Sequence, residues 1–222
     1  HNHVVYIIGH VLLVHRTIHL AQFATFLTDI NKHISANKSK RQYALTLGDM
    51  TWDLYWYEKT YDLKVYVEMM KTKLSGLQIF HTIGNHDHDM MEVGDFNTVT
   101  LYKKTVAPTY YSFNIGDVHY VVLDDILCKN TGTGGDGRKY ESTLTTDQLS
   151  WLKKDLSYVD KSKTLVITMH AQMYNEGGSA SLSNASELAS LCSGYKTHVM
   201  SAHTHVIWNN DLSASNGIMH HN

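Results

Sequence analysis

Four apolar runs in this chain each stop at a residue type that binds metal ions or moves protons, and this recurrence restricts the possible folds more than any other feature. Residues 43–47 are followed by Gly48-Asp49, residues 77–83 by Gly84-Asn85-His86-Asp87, residues 164–169 by His170, and residues 197–201 by Ala202-His203-Thr204-His205. Runs of this length, rich in β-branched and aromatic residues, read as strands. In open α/β sheets ligands bind beyond the carboxyl ends of the strands, so four endings of this kind can converge on one site.

The segments between the runs fit such a fold. Ile18, Phe23, Phe26, Leu27, Ile30 and Ile34 recur at helical spacing over residues 17–34, with Thr17 as cap, and further helices are expected over 61–74, 145–159 and 185–192. Residues 110–115 and 118–123 flank Gly116-Asp117 as a hairpin. Strands at 4–8, 206–208 and 217–219 complete the order. Strands alternating with helices, interrupted by one hairpin, argue an α/β sandwich with mixed sheets. No repeat or linker divides the chain, and 222 residues suit one domain with a sizeable core.

Each motif has a bland reading beside the chemical one. Gly48-Asp49 alone is a common turn pair. Gly84-Asn85-His86-Asp87 is more specific, because it packs an amide, an imidazole and a carboxylate into one turn, where a purely structural reading uses Asn85 and Asp87 only to cap backbone. In an extended Ala202-His203-Thr204-His205, positions i and i+2 face one side, so both imidazoles can reach one centre. His170 alone is more often structural, and gains weight from its place after a strand. Trp52, Tyr55, Trp56 and Tyr57 are at least as good a packing cluster as a substrate platform. The glycines at 132, 134 and 135 lack the lysine and hydroxyl of a phosphate-binding loop, and Ser142 and Ser150 lack a nucleophile elbow.

Composition adds exclusions. A net charge of −2 supplies no basic field for nucleic acid, and no apolar run is long enough to span a bilayer. Cys128 and Cys192 leave open one bridge or two free thiols. Pro108 is the single proline, against roughly eleven at about 5% usage. Prolines concentrate in loops, so loop segments of the natural chain are expected to be missing, along with part of a C-terminal region. No secretory signal is visible, although residue 1 is not taken as a natural start. The sequence sets no oligomeric state.

Taken together and in order, Gly48-Asp49, Gly84-Asn85-His86-Asp87, His170 and Ala202-His203-Thr204-His205 resemble the calcineurin-like metallophosphoesterase superfamily over about residues 42–210. The helix around Gln148-Leu149-Ser150-Trp151-Leu152 is similar to that family's Gln-Leu-x-Trp-Leu pattern. The resemblance implies a four-layer α/β/β/α sandwich and two divalent ions, manganese, iron or zinc. It implies Asp49 as their bridge, Asn85, His170 and His203 at one ion, His205 at the other, and His86 beside the leaving group, oriented by Asp87. The implied reaction is hydrolysis of phosphate mono- or diesters by a hydroxide between the metals, on a phosphorylated small-molecule or lipid-linked substrate. Met219-His220-His221-Asn222 resembles the start of a C-terminal region in Bacteroidetes members, which implies an exported or periplasmic protein.

Two departures matter. Ala202 stands where the family has glycine, and the family's first motif, Asp-x-His after the first strand, is absent, since the first aspartate is Asp29. His10 can replace the histidine; nothing there replaces the carboxylate. Two rival classes follow: a noncatalytic metal- or ligand-binding relative, and a histidine-rich zinc hydrolase of amides, which lacks the usual His-Glu-x-x-His.

Overall fold

The computed structural model describes residues 3–9, 17–51, 62–132 and 138–222, without the side chains of 17–20 and 214–215. His10, the aromatic cluster at 52–57 and most of the glycine loop lie outside the described residues.

Strands β1 (His3–Ile8), β2 (Arg41–Thr46) and β3 (Gln78–His81) form a parallel sheet in that order. Parallel neighbours need crossovers, and helices α1 (Thr17–Ala36) and α2 (Leu63–Lys73) lie between successive strands in the chain. Helix α1 buries Phe23, Leu27 and Ile30, a stripe at i, i+4 and i+7, in one cluster with Leu63, Tyr66, Met70 and Leu74. Helix α2 starts where the Asp62 carboxylate accepts the Val65 N–H at 2.9 Å, and it ends with Lys71 and Lys73 against the negative end of its dipole. Two short helices follow, α3 (Asp95–Thr98) and α4 (Thr100–Thr105), which the sequence pattern did not reveal.

The second sheet contains β4 (Tyr111–Ile115), β5 (Val118–Val122), β8 (Thr164–Thr168), β9 (Lys196–Met200), β10 (Asn209–Leu212) and β11 (Ile218–His221), in the order β10-β11-β9-β8-β5-β4. Its middle is parallel and both edge strands are antiparallel. The β4–β5 hairpin turns at Gly116, whose φ of 60° is one that glycine adopts without strain. A small ribbon, β6 (Ile126–Cys128) with β7 (Tyr140–Ser142), stands apart. Helices α5 (Thr146–Leu156) and α6 (Ala185–Cys192) cover the outer face through Leu152, Leu156, Leu188 and Cys192, and α7 (Ser213–Asn216) joins the last two strands.

Between the sheets lies a third apolar layer of Leu45, Ile115, Tyr120 and Val166, with Phe113 stacked on Phe80 at 3.6 Å between ring centroids. The layers therefore run helix, sheet, sheet, helix, as the resemblance implied. Two boundaries differ from expectation. Helix α5 stops at Leu156 because the next N–H groups turn to carbonyls three residues back, Ser157 to Lys154 and Tyr158 to Asp155. The strand expected at 206–208 begins instead at Asn209, although Trp208 already exchanges backbone hydrogen bonds with Asn222. No described helix is long and apolar enough to cross a membrane.

The carboxyl ends of the two sheets are tied together. Thr82, just past β3, donates its hydroxyl to that of Thr168 at the end of β8 at 3.1 Å, with both residues buried. Beyond this tie Leu47 N–H reaches Ile8 O, and Ala202 N–H reaches His170 O. Every strand ending singled out in the sequence thus opens at one end of the sandwich.

Candidate metal centre

His170 is the hub of the group at that end. Its side chain is fully buried, and Nδ1 lies 2.7 Å from the carbonyl of Leu47. A carbonyl oxygen only accepts, so Nδ1 carries a proton, and Nε2 is the nitrogen that can offer a lone pair once its own proton is displaced. Around Nε2 stand Asp49 Oδ2 at 3.2 Å, Asn85 Oδ1 at 3.0 Å and His203 Nδ1 at 3.2 Å. At the 90° angles of octahedral coordination, bonds of about 2.1 Å to a divalent ion place neighbouring ligand atoms about 3 Å apart. Two oxygens and two imidazole nitrogens at these separations fit such an ion; Asp49, His170 and His203 have the spacing of metal ligands.

The backbone is bent to make this arrangement. Asp49, His203 and His205 have φ of 53°, 67° and 57°, and they are the non-glycine residues in the left-handed region among those described. That conformation costs roughly 1–2 kcal/mol each for an L-residue. Residues held there cluster at functional sites, where surrounding structure overrides the preference. The glycines before the motifs are required by close approach. A Cβ on Gly84 would stand 2.2 Å from Asp49 Oδ1, and one on Gly48 would stand 2.6 Å from His170 Nδ1. Gly84→Ala is accordingly expected to push Asp49 out of the cluster. The overpacking costs about 2 kcal/mol and roughly 6 °C in Tm; metal content per chain should fall with it, and an unchanged metal content would refute the close packing of the two loops.

Surrounding groups orient these ligands, as is usual around metals. Asp125 accepts the backbone N–H groups of His170 and Ala171, both at 2.9 Å. Tyr140 brings its hydroxyl to 3.4 Å from His203 Nε2. Asp49 Oδ1 accepts the His86 N–H at 2.9 Å, leaving Oδ2 toward the cluster. Both oxygens of Asp87 take backbone N–H groups, of Met50 at 2.9 Å and Gly84 at 2.8 Å, so this residue clamps the Gly48-Asp49 loop to the Gly84 turn. The partner at the His86 ring is instead Arg138, whose Nη1 lies 2.7 Å from Nδ1 and also donates to Asn85 O at 3.1 Å.

Electrostatics follow from burial and proximity. Burial opposes a charge on His170, but the Asp49 carboxylate, its hydrogen bond and Asp125 outweigh it and raise the pKa to about 9. Burial and the neighbouring His170 push His203 down to about 4. Burial, then Asp49, lifts Asp87 to about 7 against the two backbone N–H groups that favour its charge. Burial likewise lifts Asp125 to about 7. A proton on His170 Nε2 and a cation would compete for the same lone pair, so a metal ion bound here would release a proton.

His205 is exposed and stands outside the cluster. With His203 it lines a cavity of about 910 Å³ whose walls include Ile8, Phe23, Phe26 and Ile207. The sequence reading missed Asp125, Arg138 and Tyr140. Asp125 obeys the same rule as the four motifs, since it follows the apolar run of β5. Arg138 and Tyr140 carry no local signal.

Fold and donor set define an α/β sandwich that gathers at its strand ends residues able to hold a metal ion. The chain belongs to the calcineurin-like phosphoesterase family, whose sequence profile matches residues 10–207. It is similar to purple acid phosphatase 22 of Arabidopsis thaliana, 28% identical over 141 residues, covering 56% of this chain and 29% of the relative. Purple acid phosphatase 23 of the same plant is 42% identical over 69 residues, 30% of this chain and 12% of the relative. The chain thus spans less than a third of these relatives. Among solved structures, a dimetal phosphatase from Danio rerio has a TM-score of 0.67 at 13% identity, over 98% of this chain and 85% of that one. Phosphopantetheinyl hydrolase from Mycobacterium tuberculosis has 0.57 at 11%, over 99% and 88%. At such identities the likeness concerns the fold.

Proposed function

We propose that this chain hydrolyses phosphate esters at a centre of two divalent ions, manganese, iron or zinc, with Asp49, Asn85, His170 and His203 around one ion and His205 toward the other. The observation that carries the reading is that His170 Nε2 faces Asp49, Asn85 and His203 at 3.0–3.2 Å, with the opposite ring nitrogen locked on Leu47 O. Divalent ions at such a site neutralise phosphoryl oxygens and bring the pKa of a water toward neutrality.

The protein's own groups supply position and a proton. A guanidinium only donates, so Arg138 makes His86 Nδ1 an acceptor and leaves the ring proton on Nε2. His86 can then donate from Nε2 to the oxygen of a departing alcohol. Leu47 O and Asp125 keep His170 in place, and Asp87 keeps the Asp49 and Asn85 loops in register. The apolar cavity beside His203 and His205 fits a phosphoester whose organic group is itself apolar, small or lipid-linked.

Stripping the protein with a chelator is expected to abolish hydrolysis of p-nitrophenyl phosphate and bis-p-nitrophenyl phosphate, and adding back manganese, iron or zinc should restore it. Turnover that survives full metal removal would overturn the proposal. One observation favours a second reading, a noncatalytic metal-binding relative: no aspartate precedes Asp29, so none follows β1 where the family's first motif stands. Tight metal binding without turnover on either ester would decide for it.

A further inference from the structure

A second group of ligand types lies outside this centre, where His88, Asp95 and Cys128 bring one donor atom each within 4.8 Å of one another. They come from three segments: the turn after Asn85–Asp87, the first residue of α3, and the last residue of β6. Nothing in the centre described above uses them. His88 is 1% exposed and Cys128 5%.

The hydrogen bonds fix which ring nitrogen of His88 is free. The Thr98 hydroxyl spends its proton on Asp95 O at 2.7 Å. At 2.9 Å from His88 Nδ1, that hydroxyl oxygen therefore acts as acceptor, and the ring proton sits on Nδ1. Nε2 is left buried without a hydrogen bond; burial opposes a charge on the ring, but the Asp124 carboxylate and the Cys128 thiol raise its pKa well above the usual histidine value, so a cation at Nε2 would displace a proton. Nε2 points among three acidic groups: Asp95, the Cys128 thiol, and Asp124, whose Oδ1 is 3.5 Å away, beyond the usual reach of an N–H···O bond. Asp95 is pre-oriented, because its Oδ1 accepts the Cys128 N–H at 2.8 Å. A ligating histidine normally gives its other N–H to an oxygen acceptor, as His88 does to Thr98.

We propose that His88, Asp95 and Cys128, with Asp124 in the fourth position, bind one zinc ion that pins the loop after Asn85–Asp87 to α3 and β6. One imidazole, one thiolate and carboxylate oxygens suit a borderline-soft ion that prefers four ligands. Tetrahedral bonds of about 2.0–2.3 Å separate ligand atoms by about 3.5 Å, which small side-chain movements reach from the spacing observed. The thiolate and carboxylates carry three negative charges and the ion removes two of them, so the buried cluster is left with one.

Thiolate ligation separates this site from the first centre, which has only nitrogen and oxygen donors. The full chain, loaded with cobalt(II) in place of zinc, should show thiolate-to-cobalt charge-transfer absorption in the near ultraviolet. Cys128→Ser should abolish that band, while Cys192→Ser, altering a thiol packed in the apolar layer under α6, should leave it intact. Zinc content should fall by one ion per chain in Cys128→Ser and in His88→Gln. A cobalt-loaded wild-type protein without the band would overturn the proposal even if neither variant folds. A band that survives Cys128→Ser would also overturn it. Cobalt bound through nitrogen and oxygen alone would leave His88 as a proton-holding member of a carboxylate cluster and support the first centre by itself.

Discussion

Asp49→Asn should cost about a thousandfold in turnover and leave the fold standing. Asparagine tolerates the left-handed backbone at φ 53° as well as aspartate does, and its side-chain oxygen can still accept the His86 N–H. What it loses is the charge. Its amide N–H₂ would face His170 Nε2, where Asp49 Oδ2 now stands at 3.2 Å, and would fill with a donor the place a cation needs. Metal ions contribute several kcal/mol of charge stabilisation to phosphoryl hydrolysis, and about 4 kcal/mol is about a thousandfold in rate. The change in stability should stay within about 1 kcal/mol, since removal of a buried charge beside Asp87 offsets the lost pairing with His170. Turnover of an aryl phosphate, metal content and thermal unfolding, measured on one preparation, decide the matter. Full activity in Asp49→Asn would remove this residue from the centre.

That prediction could be reached from sequence because strand endings are visible in a linear chain. An apolar run of β length followed at once by Asp49, Asn85, His170 or His203 needs no knowledge of the fold, and the sheet topology then forces such endings to one side. The parts that failed to show are those made by closure of the chain in space. Arg138 lies 52 residues from His86, in a segment with no periodicity just before β7, and only the tertiary fold brings it to that ring. His88 is a lone histidine in sequence, yet it is buried beside Thr98 and Asp95 of α3, a helix too brief to leave a periodic pattern. His205 shows the limit of the i, i+2 rule. That rule assumes an extended strand, whereas His203 and His205 have left-handed backbone, with His203 in the cluster and His205 exposed outside it. The role expected of Asp87 was similarly displaced, because its two oxygens were drawn to the backbone N–H groups that a tight double loop leaves without other partners.

The Arg138–His86 contact leads to the other large effect, which depends on the leaving group. His86→Gln should lower hydrolysis of an alkyl phosphate ester by about 10²–10⁴, the usual worth of a placed proton donor. On p-nitrophenyl phosphate the loss should be far smaller, because that phenolate departs without a proton. Arg138→Met should follow the same pattern at reduced size. Without the guanidinium on Nδ1 at 2.7 Å, the neutral ring can carry its proton on either nitrogen, and only the Nε2 form serves the leaving oxygen. Arg138→Lys should recover part of the loss, since an ammonium still donates, but on its flexible stem it holds His86 Nδ1 and Asn85 O less rigidly than Arg138 Nη1, which makes both contacts. The comparison of the two esters carries the test. A purely structural Arg138 would weaken both reactions equally, through the position of Asn85, and an equal loss on both esters in His86→Gln would take the proton-donor role away from His86.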